Sequence, residues 1–339
     1  MNLISRVSKR LRFRAEAMRS AAAVRFAFRH VHGPRTVALG ATGVGVVGLM
    51  KDAEWFIKGF LDHHLGLGVA HVVIVDNGST DRTVEIAASY ERVTVLRNEM
   101  PARHYESRMR TQAAKRVFRG GWTLFADADE QIDVPFAGPQ PFAQLIPYLD
   151  GIGANAVVGQ MLDLYDAQGA RETYPEATAG ATTYALSDVD DVPYHEKARV
   201  EFHYFLASNK LLDPGLTLKM GGLRREVFGE VPFLSKHLLV KNVPEIEMQT
   251  HAHCASKVTI ADVTLLIRHY KLAGDWRARD AVSVAKGLWG HGEDVRRLVG
   301  HAEIVARNPL EWRGVDALVE EGFLFVSPSA RQALCRSTC

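Results

Sequence analysis

The sequence predicts an α/β protein built on a mostly parallel sheet, with helices on both faces and a helical C-terminal extension. Three observations predict it. Short apolar runs near 45–50, 72–75, 93–96 and 122–126 have the length and composition of buried strands. They alternate with stretches of helical periodicity, and polar turns rich in Asp, Asn and Gly separate the two. A length of 339 residues, 47% hydrophobic and 24% charged with 28 Gly and 13 Pro, describes an enzyme-sized globular body. Wholesale disorder, collagen-like repetition and a long coiled coil are excluded.

The chain opens on a basic segment, residues 1–36, with nine Lys/Arg against one Asp/Glu, whereas the remainder holds 32 against 38. The net charge of +2 therefore divides into a tail of about +8 and a body of about −6. An acidic body argues against nucleic acid as a partner and confines any attraction for anionic surfaces to the tail. Its apolar residues, among them Leu3, Leu11 and Phe26, are interrupted by arginines too often for a signal peptide or a spanning helix. Residues 1–35 fit either a basic amphipathic helix lying on an anionic membrane surface or a loosely docked terminal helix. Cys254, Cys335 and Cys339 cannot all pair and lack zinc or redox spacing, which points to a reducing, cytoplasmic setting, with peripheral attachment to the inner membrane face if the tail binds there.

The run 37–50 is too short and too rich in glycine to span a membrane, and a strand over 45–50 is expected. Ile57, Phe60, Leu61, His64 and Leu65 share a helical face that Gly66 and Gly68 end. The strand 72–75 runs into Asp76 and a polar turn, followed by a helix over 81–90 and a strand over 93–96. Met109, Ala113, Val117 and Phe118 mark a helix that stops at Gly120 and Gly121, before a strand over 122–126. Further strands are expected at 156–162, around Gly221 and Gly222 within 218–228, and at 263–270, with helices over 276–307. The polar stretch 165–200 shows no clear period. No internal repeat or linker divides the chain.

The sharpest feature is Asp127-Ala128-Asp129-Glu130, at the end of a buried strand. Ligands of open α/β sheets bind at such ends. Two clustered carboxylates repel, and a divalent cation such as Mg²⁺ or Mn²⁺ compensates them while leaving positions for phosphate oxygens. Acidic strand ends are also common without metal. Asp76 closes the preceding strand, where its carboxylate suits the N–H and O–H donors of a nucleoside or simply caps the turn at Gly78. Lys51, Asp52 and Glu54 follow the first strand in the same way, so three acid-bearing ends form one rim of a nucleotide cleft.

These residues carry a resemblance. The run 51–55, the helix with His63 and His64, the stretch Val75 to Asp81, Asp127 to Glu130, Met161 to Tyr165, Gly221 to Gly229, Leu234 to His237 and His269-Tyr270-Lys271 together resemble a bacterial GT-A glycosyltransferase. More narrowly they are similar to the family-2-like branch related to glycosyltransferase family 92. The resemblance covers about 44–290. It implies a GT-A, Rossmann-like catalytic domain over 37–275, which binds nucleotide sugar and acceptor, and a mostly helical extension over 276–339. It implies an enzyme of cell-surface polysaccharide synthesis that moves a sugar from a UDP- or GDP-sugar to a glycan or lipid-linked hydroxyl, inverting and dependent on Mn²⁺ or Mg²⁺. Asp76 matches the acid that holds the nucleoside, Asp127 and Asp129 the metal motif, and His269 the histidine that completes the metal or diphosphate shell. His269 also suits a buried strand-end histidine, and His251 and His253 are weaker rivals.

Two departures stand out. Asp52 replaces the family's usual Asn after Lys51, and the usual Glu-Asp signature of the catalytic base is absent after Gly222. Asp163 and Glu230 are the base candidates, and either also suits donor-sugar hydroxyls. Arg108, Arg110, Lys236 and Lys271 are phosphate candidates. Arg108 and Arg110 do not share a helical direction, so at most one of them faces inward. Two other readings remain. A sugar-nucleotide pyrophosphorylase needs a cationic glycine-rich loop, which the glycines of 40–45 lack. A non-catalytic carbohydrate-binding protein that kept the GT-A fold would explain the missing base.

Overall fold

Alternating apolar residues place the strands, and the glycines between them set their bends. The computed structural model describes residues 20–167, 181–197, 199–200, 203–287, 292–300 and 303–335. Its strands are β1 (Arg29–His32), β2 (Val37–Met50), β3 (His71–Asp76), β4 (Val93–Arg97), β5 (Phe118–Phe125), β6 (Glu130–Asp133), β7 (Ala156–Tyr165), β8 (Thr183–Tyr184), β9 (Val189–Pro193), β10 (Lys210–Leu211), β11 (Thr217–Gly221), β12 (Ser235–Lys241), β13 (Glu247–His251), β14 (Cys254–Ser256), β15 (Thr259–Leu272) and β16 (Leu310–Glu311). The main sheet runs β1-β4-β3-β2-β5-β12-β7-β15-β10. Along this path of nine described strands β1 and β12 oppose the common direction, and off it β6 and β8 pair antiparallel to β15 and β7, so the sheet is mostly parallel, as the sequence predicts.

Each strand sends alternate side chains to opposite faces, and helices cover both. Val46, Val72, Ile74 and Leu124 meet the helices Ile57–Gly66 and Pro141–Gly151 through Phe60, Leu61, Leu145 and Ile146. On the other face Val47, Val73, Val75 and Phe125 meet the helix Ala102–Val117 through Met109, Ala113 and Val117. The C-terminal stretch joins the same body. Ala330 and Leu334 of the helix Pro328–Cys335 pack into the first layer, while Leu318, Phe323 and Leu324 pack on Leu162, Leu164 and Leu266.

Several elements differ from the sequence expectation. β2 is twice as long as expected because its glycines serve packing: a Cβ on Gly45 would lie 2.3 Å from the Phe118 ring. The glycines of 40–45 are therefore strand residues and do not form a phosphate loop. Gly120 and Gly121 do not stop a helix before a strand. They sit inside β5 with φ 71° and 66°, where its register against β2 shifts at Gly40. Residues 223–228 are a helix, Leu223–Phe228, and not a strand, because Gly221 and Gly222 turn the chain at φ 87° and 73° and Gly229 caps the helix in the left-handed region. β12 was not expected at all.

Of the basic segment 1–36, residues 1–19 lie outside the described part. Residues 20–27 are helical, Val24 and Phe28 are buried in the core, and β1 forms a sheet edge. Of the unassigned stretch 165–200, residues 168–180 and 198 lie outside the described part, and the remainder contains β8 and β9. No helix among the described residues is long and apolar enough to cross a membrane.

Candidate active site

The turns after β2 and β3 brace each other. Asp76 is fully buried; its Oδ1 accepts from the Ser79 amide at 2.9 Å and its Oδ2 from Arg97 Nε at 2.6 Å. Gly78, with φ 83°, lets the chain reverse so that Ser79 Oγ receives the Asp52 amide at 2.9 Å. Asp52 Oδ1 in turn accepts from the Thr80 amide at 2.6 Å, and its Oδ2 from Lys286 Nζ at 2.7 Å. Burial disfavours the Asp52 anion, but Lys286 and Thr80 outweigh it and hold the carboxyl below its ordinary range. Glu54 accepts from the Arg82 amide at 2.9 Å, and Lys51 is exposed. The three acids of the expected nucleoside rim are thus drawn together, and the protein's own donors already engage them.

Beyond β5 the chain carries two different carboxylate environments. Asp127 is held on both sides: Arg110, on the inward face of its helix, binds Oδ1, and Lys236 Nζ reaches Oδ2 at 2.7 Å. Lys236, only 2% exposed, also donates to both oxygens of buried Glu130 at 2.6 and 2.9 Å. Burial opposes the Asp127 charge, yet Arg110 and Lys236 keep the acid strongly ionised. Burial instead pushes Glu130 up, with Lys236 pulling the other way. Arg108, by contrast, turns to Ser20 Oγ and away from this cluster.

Asp129 faces a second group. The register of β15 against β7 sets His269 beside Asp163, and the register against β6 sets it beside Glu130. His269 Nδ1 lies 2.5 Å from Asp163 Oδ1, and its Nε2 lies 3.4 Å from Asp129 Oδ2. Arg224 Nε donates to the other Asp163 oxygen at 2.9 Å. Burial would lower the His269 pKa, but Asp129 and Asp163 raise it to about 9. Burial likewise opposes ionisation of both acids; His269 brings Asp129 down to about 2, and Arg224 with His269 holds Asp163 lower still. Lys271 adds to the field at Asp129.

Residues 64–231, just under half of the chain, match the sequence profile described as Glycosyl transferase family 2. That stretch is similar to a glycosyl transferase family 2 domain. Asp76, Asp127, Asp129, Asp163 and Glu230 fall inside this domain; Lys51, Asp52 and Glu54 precede it, and Lys236, His269 and Lys271 follow it. No curated protein matches the chain. Among solved structures, S. aureus TarS is 19% identical over 46% of this chain and 26% of its own, with a TM-score of 0.30. Glucosyl-3-phosphoglycerate synthase from Mycobacterium tuberculosis, in a complex with Mn²⁺, UDP and glucosyl-3-phosphoglycerate, is 22% identical over 36% of this chain and 44% of its own, with a TM-score of 0.22. The chain therefore spans about a quarter of the first and under half of the second. The profile match is to family 2 and does not extend to the narrower resemblance to family 92.

Around the family 2 domain the metal candidates separate by chemistry. Among the described residues no group of three or more His, Cys, Asp or Glu is arranged to hold a metal ion. Asp127 is a poor ligand, since cations hold both its oxygens. Asp129 with His269 Nε2 fits better, because a carboxylate on the far ring nitrogen is the usual support of a metal-binding histidine and Asp163 provides it. His253 bonds the Ser235 carbonyl at 3.0 Å, and burial lowers its pKa to about 3. Of the base candidates, Asp163 is fixed on both oxygens. Glu230 accepts from Arg297 at 3.0 Å through Oε1, while buried Oε2 has no hydrogen-bond partner among the described residues. Burial raises the Glu230 pKa, with Arg297 opposing. A cavity of ≈ 350 Å³ opens beyond the ends of β7 and β15, between Tyr165, Leu272 and Trp276.

The sequence gives no role to Arg97, Arg224 or Arg297, although Arg224 lies in the quoted run Gly221 to Gly229. Each is a surface-type residue by composition, and only strand register and helix docking reveal that its partner is a buried acid.

Proposed function

We propose that this protein is a glycosyltransferase that moves a sugar from a nucleoside-diphosphate donor to a hydroxyl acceptor with inversion. The observation that carries the reading is the chain Arg224–Asp163–His269–Asp129 at the ends of adjacent strands, inside and beside the family 2 domain. Asp129 and His269 are the residues to hold Mg²⁺ or Mn²⁺, which when bound would offset charge on the leaving diphosphate. Asp163 orients His269 and presents its Nε2 toward the ion. Asp127, braced by Arg110 and Lys236, shapes the strand end and takes no direct part in ligation. The turns at 51–54 and 76–83 form the nucleoside side, and the cavity beside Trp276 receives the acceptor.

Glu230 is our choice of base over Asp163, because one of its oxygens has no partner among the described residues and burial raises its pKa, the direction a general base needs. The Glu230→Gln variant should lose about 10²- to 10⁴-fold in kcat while the donor KM stays as in wild type. An unchanged kcat would remove Glu230 from the mechanism. The metal role is tested by titrating UDP, GDP, CMP and CDP with Mn²⁺ in a thermal-shift assay, since a ligand of the native state raises its apparent stability. Asp129→Ala should abolish the Mn²⁺-dependent part of the best nucleotide's shift. A folded variant that keeps the full shift refutes the assignment.

A further inference from the structure

The helix Trp276–Lys286 follows β15 and makes two sets of contacts. Asp275 caps it by accepting from the Ala278 amide at 3.0 Å, and Gly287 ends it at φ 59°. One set fixes it to the helix Glu293–Gly300. Arg297 donates to Asp280 at 2.8 and 2.9 Å, and Ser283 to Asp294 at 2.8 Å. Neighbouring residues of the same helix reach the end of β15 and the nucleoside-side turn. Lys286 binds Asp52 in the nucleoside-side turn. Arg279 lies seven residues earlier on the same face, about 10 Å back along the axis.

Arg279 is unusually constrained. Its guanidinium sits over Phe56, 4.8 Å from the ring centroid. Its Nη2 donates to the carbonyls of Lys271 at 3.0 Å and Ala273 at 2.6 Å, in the segment that follows His269. Its Nη1 is buried with no hydrogen-bond partner among the described residues. Asp129 is within its electrostatic range. A charged donor that is buried and unsatisfied is costly unless a ligand takes it, and the fixed plane leaves Nη1 little freedom to find a partner within the protein.

We propose that Arg279 binds the diphosphate of the nucleotide donor, with Nη1 the atom that reaches a phosphate oxygen. The stacking on Phe56 and the two carbonyls set the fork before the anion arrives, so little side-chain freedom is lost on binding. The roughly 10 Å between Arg279 and Lys286 lets one helix serve the phosphate side and the nucleoside side of the same ligand. This inference rests on the nucleotide-sugar reading of the site and adds to it a residue that lies outside the family 2 domain.

The test compares UDP with uridine and GDP with guanosine by ligand-observed NMR titration, for wild type, Arg279→Gln and Arg279→Lys. Arg279→Gln should weaken the diphosphate by about tenfold or more, as expected for losing a charged hydrogen bond, and leave the matching nucleoside unchanged. Arg279→Lys should recover part of the loss. Wild-type affinity for the diphosphate in Arg279→Gln overturns the inference. So does an equal loss of nucleoside and diphosphate, the mark of an arginine that only supports the fold. Wild-type protein that binds neither diphosphate overturns the nucleotide reading itself, and the Arg279 inference with it.

Discussion

Alkali should unload a measurable share of the stability through one buried ring. His269 sits between Asp163 and Asp129, which overcome the effect of burial and raise its pKa from 6.5 to about 9. A folded-state pKa above the unfolded value means that the stabilisation is fully present below pH 6.5 and is lost as pH rises through about 9. At about 1.4 kcal/mol per unit this amounts to about 3 kcal/mol, a large fraction of the roughly 5–15 kcal/mol that holds an ordinary domain together. The assay is urea unfolding with a chelator present, at intervals from about pH 6 to about pH 9.5. Asp163→Asn removes the charge on Nδ1 and should be less stable than wild type at the acid end, with a flatter profile. Burial also pushes the Cys254 thiol and the Tyr194 phenol upward, so each adds a fall of its own as pH passes its ordinary value of 9.0 or 10.0; both falls are shared by wild type and variant, and the difference between the two profiles reports His269. Parallel profiles for wild type and Asp163→Asn would refute the argument that these contacts hold the imidazolium.

Two further outcomes follow from the packing. Lys236→Met leaves Glu130 buried without its cation, and should lower unfolding free energy by about 3–5 kcal/mol at neutral pH. Because burial already raises the Glu130 pKa, that deficit should shrink as the buffer is made more acidic and the carboxyl takes up a proton; a deficit independent of pH would count against the ion pair. Gly45→Ala places a methyl group 2.3 Å from the Phe118 ring, and should cost about 1–3 kcal/mol by thermal or denaturant unfolding. A neutral result would show that β2 and Phe118 separate easily.

What could be read from the chain follows from where each signal resides. Asp76, Asp127 and Asp129 end strands whose apolar runs are local, so their position on one rim was visible in the order of residues. The division of labour between Asp127 and Asp129 was not. It is set by Arg110, Lys236 and His269, and the last two reach the strand end only through the pairing of β12 and β15 with strands far earlier in the chain. Arg108 and Arg110 show the limit of local reasoning. Helical geometry says that the two diverge, but only the packed structure says that Arg110 faces Asp127. The run Ser235–Lys241 was quoted for its Lys and His and missed as a strand, because nothing in seven residues reveals an antiparallel insertion between two parallel neighbours.

That insertion governs how the molecule is assembled. β12 is the seam joining β5 on one side to β7 on the other, and β2 flanks β5 from before residue 64. A fragment cut to residues 64–231 would lack both neighbours of β5 and leave its backbone donors and acceptors open along two edges, a template for aggregation. During synthesis, too, β5 must wait for more than a hundred residues before its second partner emerges. Expression trials on this protein should therefore keep the chain intact through β15, and a nascent chain stalled before β12 should be a preferred client of holding chaperones.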